Sequence, residues 1–369
     1  MNRSALILGL LSAGVLWGQS FEDLARQAEA ALDSRPAEAA GLYQKALAIR
    51  PEWAEGWMYL GAALYQVDRY AEATDAFRKG IALTPNLGTA WAFLGLCEAE
   101  LDNPDQALAD IRKGEALGLG DNQEFEIAAR VKAAQILIRS SAFNEALEQL
   151  QPLALRDMNT RPLVETMGLA TMGIPSALSQ LTPERRAVVA LAGKAAWASG
   201  SQHPAEAAAA YKELMQRYPD EPGVRYAYGL YLMETDLTAA LSEFQKEARI
   251  NPKHWPTLLA IGSLEIRRGA PETAIQSLSD AMKLIPAKQR WQCHAELGRA
   301  NMAADKLDAA TAEFETAARL MPSIPQVHFF LSQAYRRAGR EEDAKREAAE
   351  FQRLKTLQDP LGVPAGGKN

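Results

Sequence analysis

The sequence has 369 residues, of which 48% are hydrophobic and 7% aromatic, and its formal net charge is −6 at pH 7. This hydrophobic content is too high for a disordered chain and is sufficient for one or more packed cores. Because nucleic-acid-binding domains are normally basic, the weak negative charge argues against a nucleic-acid partner.

Both ends of the chain differ in composition from the rest. Arg3 supplies a positive charge, residues 5–17 form a weakly polar to apolar run, and Gly18 offers a small residue near a cleavage point. This is the pattern of a secretory signal peptide, and the apolar run is shorter than the roughly 20 residues of a membrane-spanning helix. We expect residues 1–19 to be cleaved and the mature chain, without a transmembrane span, to be periplasmic or secreted. An uncleaved N-terminal membrane anchor and an ordinary cytosolic helix are the alternatives. Residues 359–369 are rich in Pro and Gly and predict a disordered tail.

The segment at residues 54–87 shows the pattern that the rest of the chain repeats. It reads as two helices joined by a tight turn near residues 67–69 and closed by a proline. Counted from Ala54, positions 4, 7, 8, 11, 20, 24, 27 and 32 are Trp57, Leu60, Gly61, Leu64, Ala73, Phe77, Gly80 and Pro85. This combination of large, small and proline positions closely resembles the tetratricopeptide repeat family. The resemblance implies an all-α fold, a right-handed α-solenoid of about nine helix–turn–helix repeats.

One small residue shows the repeats most clearly. Position 20 is always alanine: Ala39, Ala73, Ala107, Ala146, Ala207, Ala240, Ala274, Ala310 and Ala344. We expect the two helices of each repeat to cross there, because a larger side chain would push them apart. Glycine recurs at position 8, and close helix crossing is a reason to accept its cost of about 1 kcal/mol inside a helix.

The 61-residue step between two of these alanines is the one large break in the series. Residues 161–182 supply first-helix markers without a second helix, and they end at Thr182, which predicts a helix N-cap. We interpret 161–182 as a half repeat and irregular connector between an N-terminal array, 20–160, and a C-terminal array, 183–358. The connector is either an eroded repeat that still packs, or a hinge or a loop lying in the groove.

The sequence contains none of the short motifs that mark common catalytic or nucleotide sites, such as HExxH, GxSxG or a Gly-rich phosphate loop. Of its four histidines, only His294 and His328 recur at one repeat position. A metal needs three or four convergent ligands, and Cys293 beside His294 points about 100° away on a helix. We therefore expect packed or rim histidines, with no catalytic residue, cofactor or metal. Cys97 and Cys293 lie in distant repeats and are expected to be buried thiols.

The resemblance also implies a binding groove. In such repeats the first helices line a concave surface, with positions 2, 5, 9, 12 and 13 facing inward. The candidate groove residues are Arg267, Arg299, Arg336, Arg337, Tyr226, Met233 and Phe329 in the C-terminal array, and Met58 and Tyr65 in the N-terminal array. Because the planar guanidinium group of arginine suits carboxylates, we expect an acidic peptide to bind among the four arginines. The alternative is that these arginines solvate helix ends or pair with acids such as Glu265 and those at Glu341–Asp343.

The function predicted from these observations is a non-enzymatic protein–protein interaction scaffold that binds a peptide or protein in its groove, in the periplasm or cell envelope. Chaperone-binding members of the family carry Lys and Asn at positions 5 and 9. Here those positions hold, for example, Phe329 and Gln333, so the chaperone-type carboxylate clamp is absent. Two alternatives stay open. One is an enzyme or carbohydrate-binding accessory with its site at 161–181, where Glu165 is the only acid, and the other is an oligomerisation module.

Overall fold

The computed structural model describes residues 20–358, so the expected signal peptide at 1–19 and the expected tail at 359–369 lie outside the described residues. Within 20–358 all regular structure is helical. The α-helices are α1 Phe21–Ala31, α2 Pro36–Ile49, α3 Ala54–Gln66, α4 Tyr70–Leu83, α5 Gly88–Glu100, α6 Pro104–Leu117, α7 Gln123–Arg139, α8 Phe143–Leu155, α9 Arg161–Thr171, α10 Pro183–Gly200, α11 Pro204–Arg217, α12 Val224–Leu232, α13 Leu237–Ile250, α14 Trp255–Arg267, α15 Pro271–Leu284, α16 Arg290–Ala303, α17 Leu307–Leu320, α18 Pro325–Arg337 and α19 Glu341–Gln358. Short 3₁₀ turns occupy Leu178–Gln180 and Ala287–Gln289. The predicted all-α solenoid is confirmed.

The chain divides into two compact units, and the boundary between Ala129 and Arg130 falls inside α7. The first unit contains the hairpins from α1/α2 to α5/α6. The second contains those from α10/α11 to α18/α19, together with α8 and α9. The connector at 161–182 therefore lies inside the second unit. Among the described helices, none is both long enough and apolar enough to cross a membrane.

The alanines at position 20 are buried in every repeat, as their spacing predicts. All nine are at most 1% exposed. The sequence predicts that the recurring glycine at position 8 lies against the backbone of the second helix, but in most repeats it lies against a large side chain. A Cβ atom on Gly61 would lie 2.7–2.9 Å from the ring atoms of Phe77, and one on Gly298 would lie 2.7–2.9 Å from those of Phe314. The glycine therefore makes room chiefly for the large side chain at position 24 of the second helix, in addition to letting the helices cross closely.

The tight turn between the two helices of a repeat depends on one residue with left-handed backbone conformation at position 15. Its φ is +58° to +62° at Asp68, Asp102, Ser141, Gln202 and Asp305, and +75° and +73° at Gly269 and Gly339. Residues other than Gly, Asn and Asp adopt this region at a steric cost. The repeat that contains α12 and α13 lacks this residue, and Asp236 instead caps α13 by accepting hydrogen bonds from the amides of Thr238 and Ala239.

Consecutive repeats are also tied together through the closing proline. In the first unit, the indole Nε1 of Trp57 donates to the main-chain oxygen of Pro51 at 2.7 Å, and that of Trp91 donates to Pro85 at 2.9 Å. Trp57 and Trp91 both occupy position 4 of the following repeat. The side chain at position 4 thus satisfies a main-chain carbonyl in the turn that follows the preceding helix.

The half repeat packs as a helix in its own right. α9 lies against α10, and the two backbones approach closely at Gly168 and Gly193, where an added Cβ would strike the carbonyl oxygens of Val189 and Val164. α10 also packs against α11 as the first helix of the next repeat. The N-cap expected at Thr182 is confirmed, because its side chain accepts a hydrogen bond from the amide of Arg185 at 3.3 Å.

Candidate binding surface

The four arginines of the predicted groove fall into two pairs with different surroundings. Arg299 binds Glu296 one helical turn earlier on α16, at 2.7 and 2.9 Å, and its guanidinium group lies 5.5 Å from the centre of the Phe330 ring. Arg337 donates to Asp305 at 2.6 Å and to the main-chain oxygen of Met302 at 3.0 Å, and so links α18 to the preceding repeat. The charges of Arg299 and Arg337 are therefore already engaged, by acids other than the expected Glu265.

Arg267 and Arg336 behave differently. Both are exposed, and neither guanidinium group has a hydrogen-bond or ion-pair partner among residues 20–358. On α18, Phe329 lies two turns before Arg336 and therefore shares its face of the helix. The Phe329 ring is 38% exposed and rests against the rings of Phe330 and Phe351, each at 5.4 Å. An exposed aromatic ring and a cation with no partner among the described residues thus lie on one face of α18, two turns apart.

Tyr226 and Met233, the other predicted groove residues of the second unit, lie on or just after α12. Tyr226 is only 6% exposed, and burial raises the pKa of its phenol. Met233 is half-buried against the hydrophobic cluster around Phe244. Tyr226 is therefore unavailable to a partner as the structure stands, whereas Met233 keeps part of its surface.

The turn between α7 and α8 covers this part of the surface, a contact that no pattern in the sequence predicts. The ring of Phe143 stacks on that of Trp255 with centres 6.1 Å apart, and Nε2 of Gln289 donates to the main-chain oxygen of Ser140 at 3.4 Å. A small cavity remains between the turn and the first helices α12, α14 and α16. Its lining residues are Phe143, Asn144, Tyr226, Trp255, Pro256, Leu259 and Gln292. Nothing in the periodicity of the repeats marks Phe143 for this role.

The two candidates in the first unit mainly pack within it. Met58 lies over the second helix of its own repeat, where a Cβ on Gly80 would be 2.8 Å from its sulfur. The ring of Tyr65 meets those of Tyr70 and Phe93 edge-on, at 5.4 and 6.1 Å. Burial, followed by the charge of Glu100, raises the pKa of Tyr65 to about 12. Both side chains are half-buried, so they offer a partner only part of their surface.

The acid in the connector is held as an ion pair. The side chain of Glu165 is 4% exposed and accepts from Arg161 at 2.8 Å and from Arg186 at 2.7 Å. Burial alone would raise the pKa of Glu165, but the hydrogen bonds from Arg186 and Arg161 outweigh it and hold the pKa below its usual range. This carboxylate is therefore ionised and fully engaged, as in a structural ion pair.

The histidines and cysteines are also accounted for by packing. Nδ1 of His294 faces Glu313 at 2.6 Å, and Nδ1 of His328 faces Glu347 at 2.8 Å, so the repeated histidine pairs each time with its own second helix. Within residues 20–358, no three His, Cys, Asp or Glu side chains are grouped so that they could hold a metal ion. Cys97 and Cys293 are buried and free, as expected. Burial raises the pKa of both thiols to about 12.

The repeat pattern of this chain also matches known family models. Two family models, both described as tetratricopeptide repeat, match residues 54–87 and 191–255. No curated protein matches the sequence. Among solved structures, MamA from Desulfovibrio magneticus RS-1 is 20% identical, with 48% of this chain and 98% of that chain covered and a TM-score of 0.42. Pseudomonas aeruginosa pilF is 17% identical, with coverage of 51% and 80% and a TM-score of 0.44. The Cut9–Hcn1 hetero-tetramer of APC/C is 15% identical, with coverage of 91% and 79% and a TM-score of 0.37.

Proposed function

Because this chain is a tetratricopeptide repeat protein, we propose that it is a non-enzymatic scaffold that binds a peptide segment of a partner protein. The proposed site is the exposed face of α18, and Arg267 at the end of α14 is a second exposed arginine on the first helices. The observation that carries the proposal is the exposed Phe329 and the unpaired Arg336 on one helix face.

The spacing on α18 indicates what a partner would present. Phe329 and Arg336 are seven residues apart, which is roughly 10 Å along a helix at 1.5 Å per residue. An extended peptide rises about 3.3 Å per residue, so an apolar side chain and a carboxylate about three residues apart would reach both groups. Between them Gln333 offers an amide to the peptide backbone. The partner segment is therefore an acidic peptide with one apolar anchor.

The proposed place of action is the periplasm or the cell envelope. The support for this is the pattern of residues 1–19, namely a positive start, a short apolar run and a small residue near the cleavage point. Mass spectrometry of the protein from fractionated cells tests it. We expect the mature chain in the periplasmic fraction to have lost residues 1–19. An intact N-terminus in the membrane fraction would instead favour the uncleaved anchor.

A peptide library displayed on phage tests the binding site directly. Peptides selected on the wild-type protein should carry an acid and an apolar residue about three positions apart. The double substitution Phe329→Ala, Arg336→Ala should weaken their binding by about tenfold or more, since aromatic and arginine side chains dominate binding energies. The matched control removes two exposed arginines from second helices, Arg249→Ala and Arg319→Ala, and should bind as the wild type does. Equal binding by both double variants would refute the site.

A further inference from the structure

The contact between the α7–α8 turn, residues 140–144, and the later first helices is not required by the repeat architecture. A solenoid repeat contacts its immediate neighbours. Here Ser140 contacts Gln289, which lies 149 residues further along the chain. Phe143 contacts Trp255, which lies several helices later in the sequence. All of these residues belong to the second unit. The turn therefore makes a contact beyond those that join neighbouring repeats.

The surface that the turn covers has the chemistry of a pocket for an aromatic side chain. Trp255 offers a ring face, while Tyr226 and Leu259 supply further apolar walls and Gln292 a polar edge. Tyr226 and Leu259 both occupy repeat position 5, one of the positions that the family resemblance places in the groove. Phe143, only 5% exposed, is the aromatic group that fills the pocket at present.

The turn fits this pocket incompletely. The hydrogen bond from Gln289, in the 3₁₀ turn before α16, to Ser140 is long, at 3.4 Å, and a small cavity remains beside Phe143. Well-packed interiors leave few such spaces, because lost contacts cost dispersion energy. The contact between the turn and the later helices therefore leaves unfilled space, although Phe143 itself is buried.

We propose that the α7–α8 turn is an internal occupant of a second peptide site, and that a partner segment with an aromatic residue at the start of a helix displaces it. Phe143 is the second residue after the left-handed Ser141 and the first residue of α8, so the displaced segment itself shows which ligand fits. This inference deepens the proposed function and rests on it, because both assume that first-helix surfaces bind peptides. The two sites share no residue, so each can fail alone.

Binding of a defined peptide tests the proposal. The probe is a fluorescently labelled synthetic peptide with the sequence of residues 137–150, and the control probe carries Ala in place of Phe143. Full-length protein with Phe143→Ala should bind the probe about tenfold more tightly than the wild type. In the wild type the turn occupies the pocket and lowers the fraction of molecules that can bind the probe. Adding Trp255→Ala to that variant should abolish binding. The control probe should bind none of the proteins.

Two outcomes would overturn the proposal. One is a folded Phe143→Ala protein that does not bind the probe, and the other is a protein that binds both probes with equal affinity. If Phe143→Ala does not fold, hydrogen exchange on the wild-type protein decides instead. The amides of Ser141 and Ala142 donate to Ile138 and Leu137 at 2.9 and 2.8 Å and so report on the turn. They should exchange by local opening, and faster with the probe present. Exchange only through global unfolding, unchanged by the probe, would show that the turn is a fixed part of the core. The phage selection on α18 stands in either case.

Discussion

His254 donates a hydrogen bond from Nε2 to the main-chain oxygen of Gly173, 3.2 Å away and 81 residues earlier in the chain. Its Nδ1 lies 2.6 Å from the hydroxyl of Thr257. Because a carbonyl only accepts, the proton of a neutral imidazole sits on Nε2, and the Thr257 hydroxyl donates to Nδ1. The edge-on ring of Tyr226, 4.9 Å away, covers the imidazole. The neutral form of His254 thus ties the connector to the start of α14.

This arrangement predicts that stability falls in mild acid. Burial lowers the pKa of His254 to about 4, an effect that the carbonyls of Gly173 and Met172 oppose and the charge of Arg185 adds to. Between about pH 6.5, the usual histidine pKa, and pH 4 the unfolded chain binds a proton that the folded chain does not. The contribution of neutral His254 to the free energy of unfolding is therefore present above about pH 6.5. It is lost as pH falls, by up to about 1.4 kcal/mol per pH unit.

Urea unfolding of the wild type and of His254→Gln between pH 7 and pH 4.5 measures this contribution. Other carboxylates titrate in the same range, so the difference between the two proteins is the relevant quantity. The wild type should lose more free energy of unfolding than the variant as pH falls. Parallel pH dependences would mean that His254 is not the responsible group.

Two glycine-to-alanine substitutions in the first unit should have opposite effects on stability, because the two glycines differ in the space around them. Gly61→Ala should destabilise by about 1–3 kcal/mol, because its Cβ would press 2.7–2.9 Å against the buried ring of Phe77. A Cβ on Gly41, inside α2, meets nothing within 4 Å. Gly41→Ala should therefore stabilise by up to about 1 kcal/mol through helix propensity alone. Thermal unfolding of both variants provides the check, and a stabilised Gly61→Ala would contradict the packing.

The fold could be predicted from the sequence because its information is local. Each alanine at position 20 and each glycine at position 8 reports on a contact inside one repeat, and the same signal returns about every 34 residues. The site was predicted less completely. Which arginines pair depends on rotamers and on acids at non-periodic positions, such as Asp305 for Arg337. The contact of Phe143 with Trp255 joins repeats that are not neighbours, and no periodic pattern encodes it.

The left-handed residue at position 15 predicts a stabilising substitution. Gln202 has a φ of +61°, is exposed and makes no side-chain hydrogen bond to the rest of residues 20–358. Glycine adopts this conformation without steric cost, so Gln202→Gly should stabilise by roughly 0.5–1 kcal/mol. The matched control is Gly269→Ala, at the same repeat position with a φ of +75°, which should destabilise by about 1 kcal/mol. Chemical denaturation of both is the measurement, and a destabilised Gln202→Gly would show that the turn has no such strain.

The ion pair in the connector gives the last prediction. Glu165 is buried between Arg161 and Arg186, and its pKa is held low, so its contribution to stability is present above the usual carboxyl pKa and is lost as pH falls below it. Glu165→Gln should destabilise by about 1.5–3 kcal/mol at pH 7, because it weakens the charge-assisted hydrogen bonds from Arg161 and Arg186, while the two exposed guanidinium groups remain solvated. Arg161→Ala is the control. The Arg161 side chain is 74% exposed, so its loss should cost less than about 1 kcal/mol. Urea unfolding at pH 7 measures both. A Glu165→Gln protein as stable as the wild type would mean that the carboxylate is not needed for stability. The connector would then again be a candidate site for an acid with a catalytic or binding role.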